Sequence, residues 1–367
     1  MEGKPGLRTN LDLVNECDNF PHHETDPTVY DTRLSSYYAF RLSRSTPTLG
    51  YVLPFVAETL RGVPSWVLDD DEGLLILHIP QSSNPSSPNN APDSEPGSTH
   101  ATAAERSAVM ASTAAAMRAT GAFDVLKGWR DELYPVYGAG GELLFSIERA
   151  ASPLFGVVTY GVHMTVFTKS VSTSFVDSGG EFGSKKEGEE QIKIWVPRRA
   201  KSKQTYGGFL DNSVAGGIAA GEPAFECLVR EAEEEASLPA ELVRRRTKAV
   251  GTVSYFHVRD KMAGGEAGFL QPECQFVYDL ELKEEDRLEL RPSDDEVEGF
   301  TLMEVEKVKE ALAKGEFKPN CALVLLDFFV RHGLLDCDNE ENYIEIVSRM
   351  HRGFEFPILR TGRQAPE

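Results

Sequence analysis

The segment AGGIAAGEPAFECLVREAEEEASL, Ala215 to Leu238, constrains this chain more than any other. Gly216, Gly217 and Gly221 make a pliant entry, and Glu222-Pro223 starts a helix, with proline at a tolerated first-turn position. Phe225, Leu228, Val229, Ala232 and Ala236 then recur at helical spacing and form one core-facing stripe. Glu231, Glu234 and Glu235 fall at i, i+3 and i+4, so their carboxylates converge on another face. Like charges so placed weaken a helix unless a positive group joins them. A hard divalent cation, which takes carboxylate and carbonyl oxygens, turns that repulsion into a site. Arg230 stands beside Glu231 to orient or neutralise it. An E-x-x-E-E face alone is usually only solvated; the glycines, the arginine and the fixed spacing single this one out.

A length of 367 residues suggests about two domains. Gly50–Leu60 reads as a short packed helix and Gly73–Ile79 as a strand. Residues 81–101, rich in Ser, Pro and Asn, read as a disordered insert in an N-terminal accessory domain, 1–150. The second domain spans 151–340, with a C-terminal extension over 341–367 that looks frayed from about Gly353. Within it, strands are expected over 156–168, 192–200, 252–258 and 274–282, with a mobile hairpin loop over 177–191. Thr301–Gly315 reads as an amphipathic helix and Asn320–Gly333 as a buried one. This mixture predicts an α/β (α+β) layered architecture.

Charge narrows the function classes. With 38 Lys+Arg against 58 Asp+Glu, the net charge of −20 argues against generic binding to nucleic acid or an anionic membrane. An anionic small molecule held by a metal ion or a few cations is still compatible. Five cysteines without a C-x-x-C pair make a disulfide framework or zinc ribbon improbable and favour a reducing compartment. The first twenty residues lack an apolar h-region, so no secretory signal is expected. Cys321–Val330 is too short for a membrane span and is interrupted by Asp327. A cytoplasmic home is the default expectation.

The pattern G-x5-E-x7-R-E-U-x-E-E-x-G-U, with U apolar, is the Nudix box, and this chain resembles it at Gly216, Glu222, Arg230, Glu231, Ala232, Glu234, Glu235 and Leu238. Ser237 replaces the final glycine, which should affect the helix C-terminal turn but removes no metal ligand. The resemblance implies a Nudix fold, a mixed sheet between helices. It also implies hydrolysis of a diphosphate dependent on Mg²⁺ or Mn²⁺. By the same resemblance Glu231, Glu234, Glu235 and the carbonyl of Gly216 ligate metal, Arg230 holds Glu231, and Glu222 is structural and faces Arg230. Gly217 and Gly221 shape the loop. A base from outside the box would be Glu296 or Glu298 in SDDEVEGF, with Glu296 preferred.

Flanking segments, among them WRDELYPVY, SIERAASPLFGVVTYGVHMTVF, KIWVPRRAKSKQTYGGFLDNSVAGGI and GEFKPNCALVLLDFFVRHG, look like fungal and plant Nudix proteins labelled thiamine pyrophosphokinase-related. The resemblance covers about residues 11–60 and 120–335. It implies conversion of thiamine diphosphate, or its oxidised and damaged forms, to the monophosphate and phosphate. No G-x-x-x-x-G-K-[ST] accompanies the kinase label; GSKK, Gly183–Lys186, lacks the spacing. Arg149, Arg198, Arg199 and Lys201 are candidate phosphate contacts. Trp129, Phe155, Tyr160 and His163 are candidates for ring contact, although core packing is the commoner role for such residues. Gln271 and Glu273 are candidate substrate contacts. Three alternatives stay open: a nucleoside diphosphate derivative or coenzyme A as substrate, an isomerase using Cys274 and Glu273, and a non-catalytic ligand sensor.

Overall fold

The computed structural model describes residues 6–80, 96–171, 190–293 and 295–360. Two helices, α1 (Asn10–Cys17) and α2 (Pro27–Leu34), precede β1 (Tyr38–Arg41), β2 (Gly50–Val52), α3 (Pro54–Glu58), β3 (Trp66–Asp69) and β4 (Leu74–Leu77). Then come α4 (Ala103–Thr120), the hairpin β5 (Leu133–Tyr137) and β6 (Leu143–Glu148), and α5 (Ser152–Phe155). The second half holds β7 (Thr159–Val171), β8 (Glu190–Arg199), β9 (Val214–Gly217), α6 (Ala224–Ala236), α7 (Ala240–Arg246), β10 (Lys248–Val258), β11 (Leu270–Glu281) and β12 (Val297–Glu304). It ends with α8 (Val305–Ala313), α9 (Pro319–Arg331) and α10 (Tyr343–Arg349).

The N-terminal sheet runs β2-β1-β4-β3, and β5-β6 forms a separate ribbon against α4. Leu75, Ile76 and Leu77 are fully buried, as the apolar run in β4 requires. The larger sheet runs β10-β11-β7-β8-β12, with β9 added to the edge of β7. Strand β7 is parallel to β11 and antiparallel to β8 and β9, so the sheet is mixed. Every β7 residue from Thr159 to Phe167 is buried, which fits a central strand covered on both faces.

Alternation along β7 sorts the two faces. Tyr160, Val162, Met164 and Val166 pack with Leu228, Val229, Ala232 and Ala236 of α6. The opposite face packs against α8, α9 and α1, where Tyr255, Val277 and Phe167 share a core with Cys321, Leu325, Phe328, Leu13 and Val14. Ten of the thirteen residues of α9 are buried, so its all-round hydrophobicity belongs to a core helix. The sheet therefore lies between helices, as expected.

Three local expectations differ from the structure. Gly50–Leu60 opens as strand β2 before α3, because Pro54 fixes the helix start there. Thr301–Glu304 belongs to β12, and the helix begins only at Val305. No residue of this strand is fully buried, so its sequence carries no clear alternation. Near the C-terminus Phe356 is 5% exposed and Leu359 N donates to Tyr160 Oη at 2.7 Å, so the segment after Gly353 is packed. Residues 81–95 and 177–189 of the two expected loops, with GSKK, lie outside the described residues. Among the described residues no helix is long and apolar enough to cross a membrane. All five cysteines are free.

Candidate active site

The glycine loop and α6 are built as one unit. Pro223 is the helix N-cap, one position earlier than expected, with φ −67° and ψ 140°. At the other end Ser237 caps the helix in the left-handed region at φ 54°, the conformation glycine adopts without cost. Arg230 organises the polar face. Its Nε and Nη2 donate to the two oxygens of Glu222 at 2.9 and 3.1 Å, and its Nη1 donates to Glu231 at 3.0 Å and Glu234 at 2.9 Å. The fork to Glu222 pins the guanidinium across the loop.

Glu231 and Glu235 turn inward, whereas Glu234 stays exposed beside Arg230. Ala215 N donates to Glu235 Oε2 at 3.0 Å. Burial raises the pKa of Glu231 to about 7, Arg230 opposing and Glu234 adding to the shift. Burial, and then the charge of Glu231, push Glu235 well above the carboxylate range. Glu231 lies directly over Gly216, where an added Cβ would meet its Cγ, Cδ and Oε1 at 2.3 Å. Two inward carboxylates that repel each other beside the side-chain-free Gly216 are oxygen donors of the kind a hard divalent cation takes. With Glu234 drawn to Arg230, no group of three His, Cys, Asp or Glu among the described residues could hold a metal as it stands.

Gly216, Gly217 and Ala215 also line a cavity of about 240 Å³. Its floor is the α9 side of the sheet, where register brings polar residues side by side: Tyr255 opposite Glu273, and Glu273 opposite Thr159. Glu273 accepts from Thr159 Oγ1 at 3.3 Å, from Gln275 Nε2 at 3.2 Å, and from Tyr255 and Gln271 through shorter contacts. Arg259 Nη1 donates to Gln271 Oε1 at 3.0 Å. His163 lies 2.7 Å from Asn212 Oδ1 through Nδ1, and burial and Lys318 lower its pKa to about 4. Burial thus favours the neutral ring, and because Asn212 Oδ1 is an acceptor, Nδ1–H is the donor of this bond.

The other sequence candidates divide. Arg149, Tyr160, Gln271 and Glu273 line the cavity, as does His163. Arg198 and Arg199 do not: Arg198 Nη1 donates to Gly208 O at 2.7 Å, and Arg199 forms a buried ion pair with Asp211 at 2.5 Å. Glu296 is also absent from the lining, and its partners include Lys203 and, at 3.5 Å, Arg130. Burial opposes the shift, yet these cations hold Glu296 below the usual carboxylate range, which makes it a poor proton acceptor. Phe155 and Trp129 belong to the N-terminal core. Cys274 does not line the cavity, because its neighbours Glu273 and Gln275 take the inward face. Tyr134, Tyr255 and Gln275 also line the cavity and were not among the residues singled out from sequence. The one available signal was the period-two polar run Gln271, Glu273, Gln275 within an otherwise apolar strand.

Residues 185–321 match the family model described as NUDIX domain, and residues 97–159 match one described as a domain of unknown function, DUF4743. An uncharacterised protein of Saccharomyces cerevisiae, YJR142W, is 37% identical over 64% of this chain and 64% of its own length. Nudix hydrolase 20, chloroplastic, of Arabidopsis thaliana is 36% identical over 62% of this chain and 53% of its own length. Among solved structures, DR0079 from Deinococcus radiodurans shares 18% identity with a TM-score of 0.34, covering 60% of this chain and 100% of that one. The chain thus spans between about half and two thirds of the length of these curated relatives. The matched stretch, residues 185–321, carries the glycine loop and α6 and is similar to NUDIX domains.

Proposed function

We propose that the protein hydrolyses a small diphosphate in a reaction dependent on Mg²⁺ or Mn²⁺. The observation that carries this reading is the pair of inward carboxylates, Glu231 over Gly216 and Glu235 on the backbone N of Ala215, beside the residues that edge a polar cavity. Glu231, Glu235 and the Gly216 carbonyl would hold the ion, with Glu234 joining on release from Arg230. Such an ion supplies polarisation of a phosphate and a water-derived nucleophile. The chain's own residues do the rest. Arg230, fixed by Glu222, keeps Glu231 in place, and the Glu273 network forms a rigid polar floor for the group attached to the phosphates.

Thiamine diphosphate, in its native, oxidised or damaged forms, is the leading substrate, with the monophosphate and phosphate as products. This finer choice rests on the flanking sequence resemblance. A nucleoside diphosphate derivative is the second reading, supported by relatives named as Nudix hydrolases. Both fit a cytoplasmic protein or an organellar one, since the two plant relatives are named chloroplastic. The test is a panel of thiamine diphosphate, its oxidised forms, ADP-ribose, NADH and coenzyme A, incubated with Mg²⁺ and then with Mn²⁺. Preferential release of thiamine monophosphate supports the first reading. Preferential cleavage of a nucleotide replaces it with the second, and no cleavage of any compound overturns both.

A further inference from the structure

We propose that the segment described only as a domain of unknown function is part of the active site, closing the cavity beside the glycine loop and supplying Arg149 as the anchor for a substrate phosphate. This rests on the hydrolase reading and assigns its anion-binding residue.

Two contacts fuse the β5–β6 ribbon to the loop. Ala220 N donates to Leu133 O at 2.7 Å. A Cβ on Gly217 would fall 1.9 Å from the Tyr134 hydroxyl oxygen, so that hydroxyl occupies the space a side chain would need. Tyr134 and Arg149 both line the cavity together with Gly216 and Gly217. The wall is therefore shared between the ribbon and the Nudix domain.

Arg149 follows β6 and is held at three points. Its backbone N donates to Glu132 O at 2.8 Å, its Nη1 donates to Glu132 Oε2 at 2.8 Å, and its guanidinium lies 5.4 Å from the centroid of the Tyr134 ring. Its Nε and Nη2 make no hydrogen bond among the described residues. A planar guanidinium braced on one nitrogen, with further N–H groups unused, is a fork suited to phosphate oxygens. Two other cavity cations are already engaged. Arg130 pairs with Glu296, and Arg259 donates to Gln271 and to the carbonyls of Ala263 and Gly264. Lys318, at the N-cap of α9, also lines the cavity and is the rival anchor.

The test is calorimetric binding of inorganic pyrophosphate to the full chain in Mg²⁺, paired with steady-state kinetics on the best substrate of the panel. Arg149→Lys keeps the charge but loses the fork, and should weaken pyrophosphate by about tenfold or more and raise KM more than it lowers kcat. Glu132→Gln, which loosens the brace, should give a smaller loss of the same kind. Wild-type affinity and KM in Arg149→Lys, or a full loss in Lys318→Met with none in Arg149→Lys, would overturn the proposal. Pyrophosphate binding that depends on Arg149 in a protein that cleaves no substrate would sink the hydrolase reading but keep the anchor. Cleavage with an unchanged KM in Arg149→Lys does the reverse.

Discussion

Replacing Gly216 by alanine places a Cβ 2.3 Å from Cγ, Cδ and Oε1 of Glu231. Non-bonded carbons settle at about 3.5–4.0 Å, so the Glu231 side chain must retreat by more than about 1 Å. Gly216 is not among the residues with positive φ, so alanine brings no backbone strain and the clash is the whole perturbation. Overpacking of this kind costs about 1–3 kcal/mol. The functional cost is larger, because a misplacement of about 1 Å can cost roughly 10²-fold in rate. The expected result is therefore a modest fall in Tm, an unchanged far-ultraviolet circular dichroism spectrum, and a drop in kcat/KM of about 10²-fold for Mg²⁺-dependent diphosphate cleavage. Gly221→Ala is the control. Gly221 has φ +85°, but nothing lies within 4 Å of an added Cβ. That variant should lose about 1–2 kcal/mol of stability through backbone strain and keep its rate within about threefold. Gly216→Ala with full turnover and a wild-type Tm would refute the placement of Glu231 or its role.

Three further outcomes follow from the same structure. Ser237→Gly relieves a left-handed residue but loses the bond from Ser237 Oγ to Arg291 O at 2.9 Å, and should still raise stability by about 0.5–1 kcal/mol in urea titrations; a fall would contradict the strain argument. Because the folded pKa of Glu231 is raised to about 7 from 4.5, its ionisation destabilises the metal-free fold as pH climbs through that window. Glu231→Gln should therefore match wild type near pH 4.5 and exceed it by about 3 kcal/mol above pH 7 in chelator, and a difference that does not grow with pH would contradict the burial argument. Arg199→Leu leaves Asp211 buried and unpaired, and should cost about 3–5 kcal/mol of stability in denaturant melts while leaving KM unchanged. A raised KM with normal stability would return Arg199 to the substrate.

The box was legible because its signals are local. Helical spacing of Leu228, Val229, Ala232 and Ala236 fixes one face of α6, and that fixes where Glu231 and Glu235 go. The departure at Ser237 was likewise readable, since only the next turn decides its φ. What the sequence could not yield depends on register. The floor exists because β10, β11 and β7 place Tyr255, Glu273 and Thr159 in one row, a pairing of residues 159 to 273 along the chain. Tyr134 enters for the same reason, through the docking of β5 on the glycine loop. Arg198 and Arg199 show the converse error. Adjacent strand residues face opposite sides, so both could not serve one pocket, and Asp211 had already engaged Arg199. Glu234 illustrates a third limit: spacing places three carboxylates on one face, but Arg230 decides which of them turns away.

The most direct measurement is phosphate release from the diphosphate panel by wild type and Glu231→Gln, each with Mg²⁺ and with excess chelator. Wild type should cleave in Mg²⁺, lose activity on chelation and recover it when metal is added back. Glu231→Gln should lower the rate by at least about 10²-fold with the fold intact. Cleavage that persists in chelator, or that survives Glu231→Gln unchanged, would contradict the metal-dependent hydrolase reading.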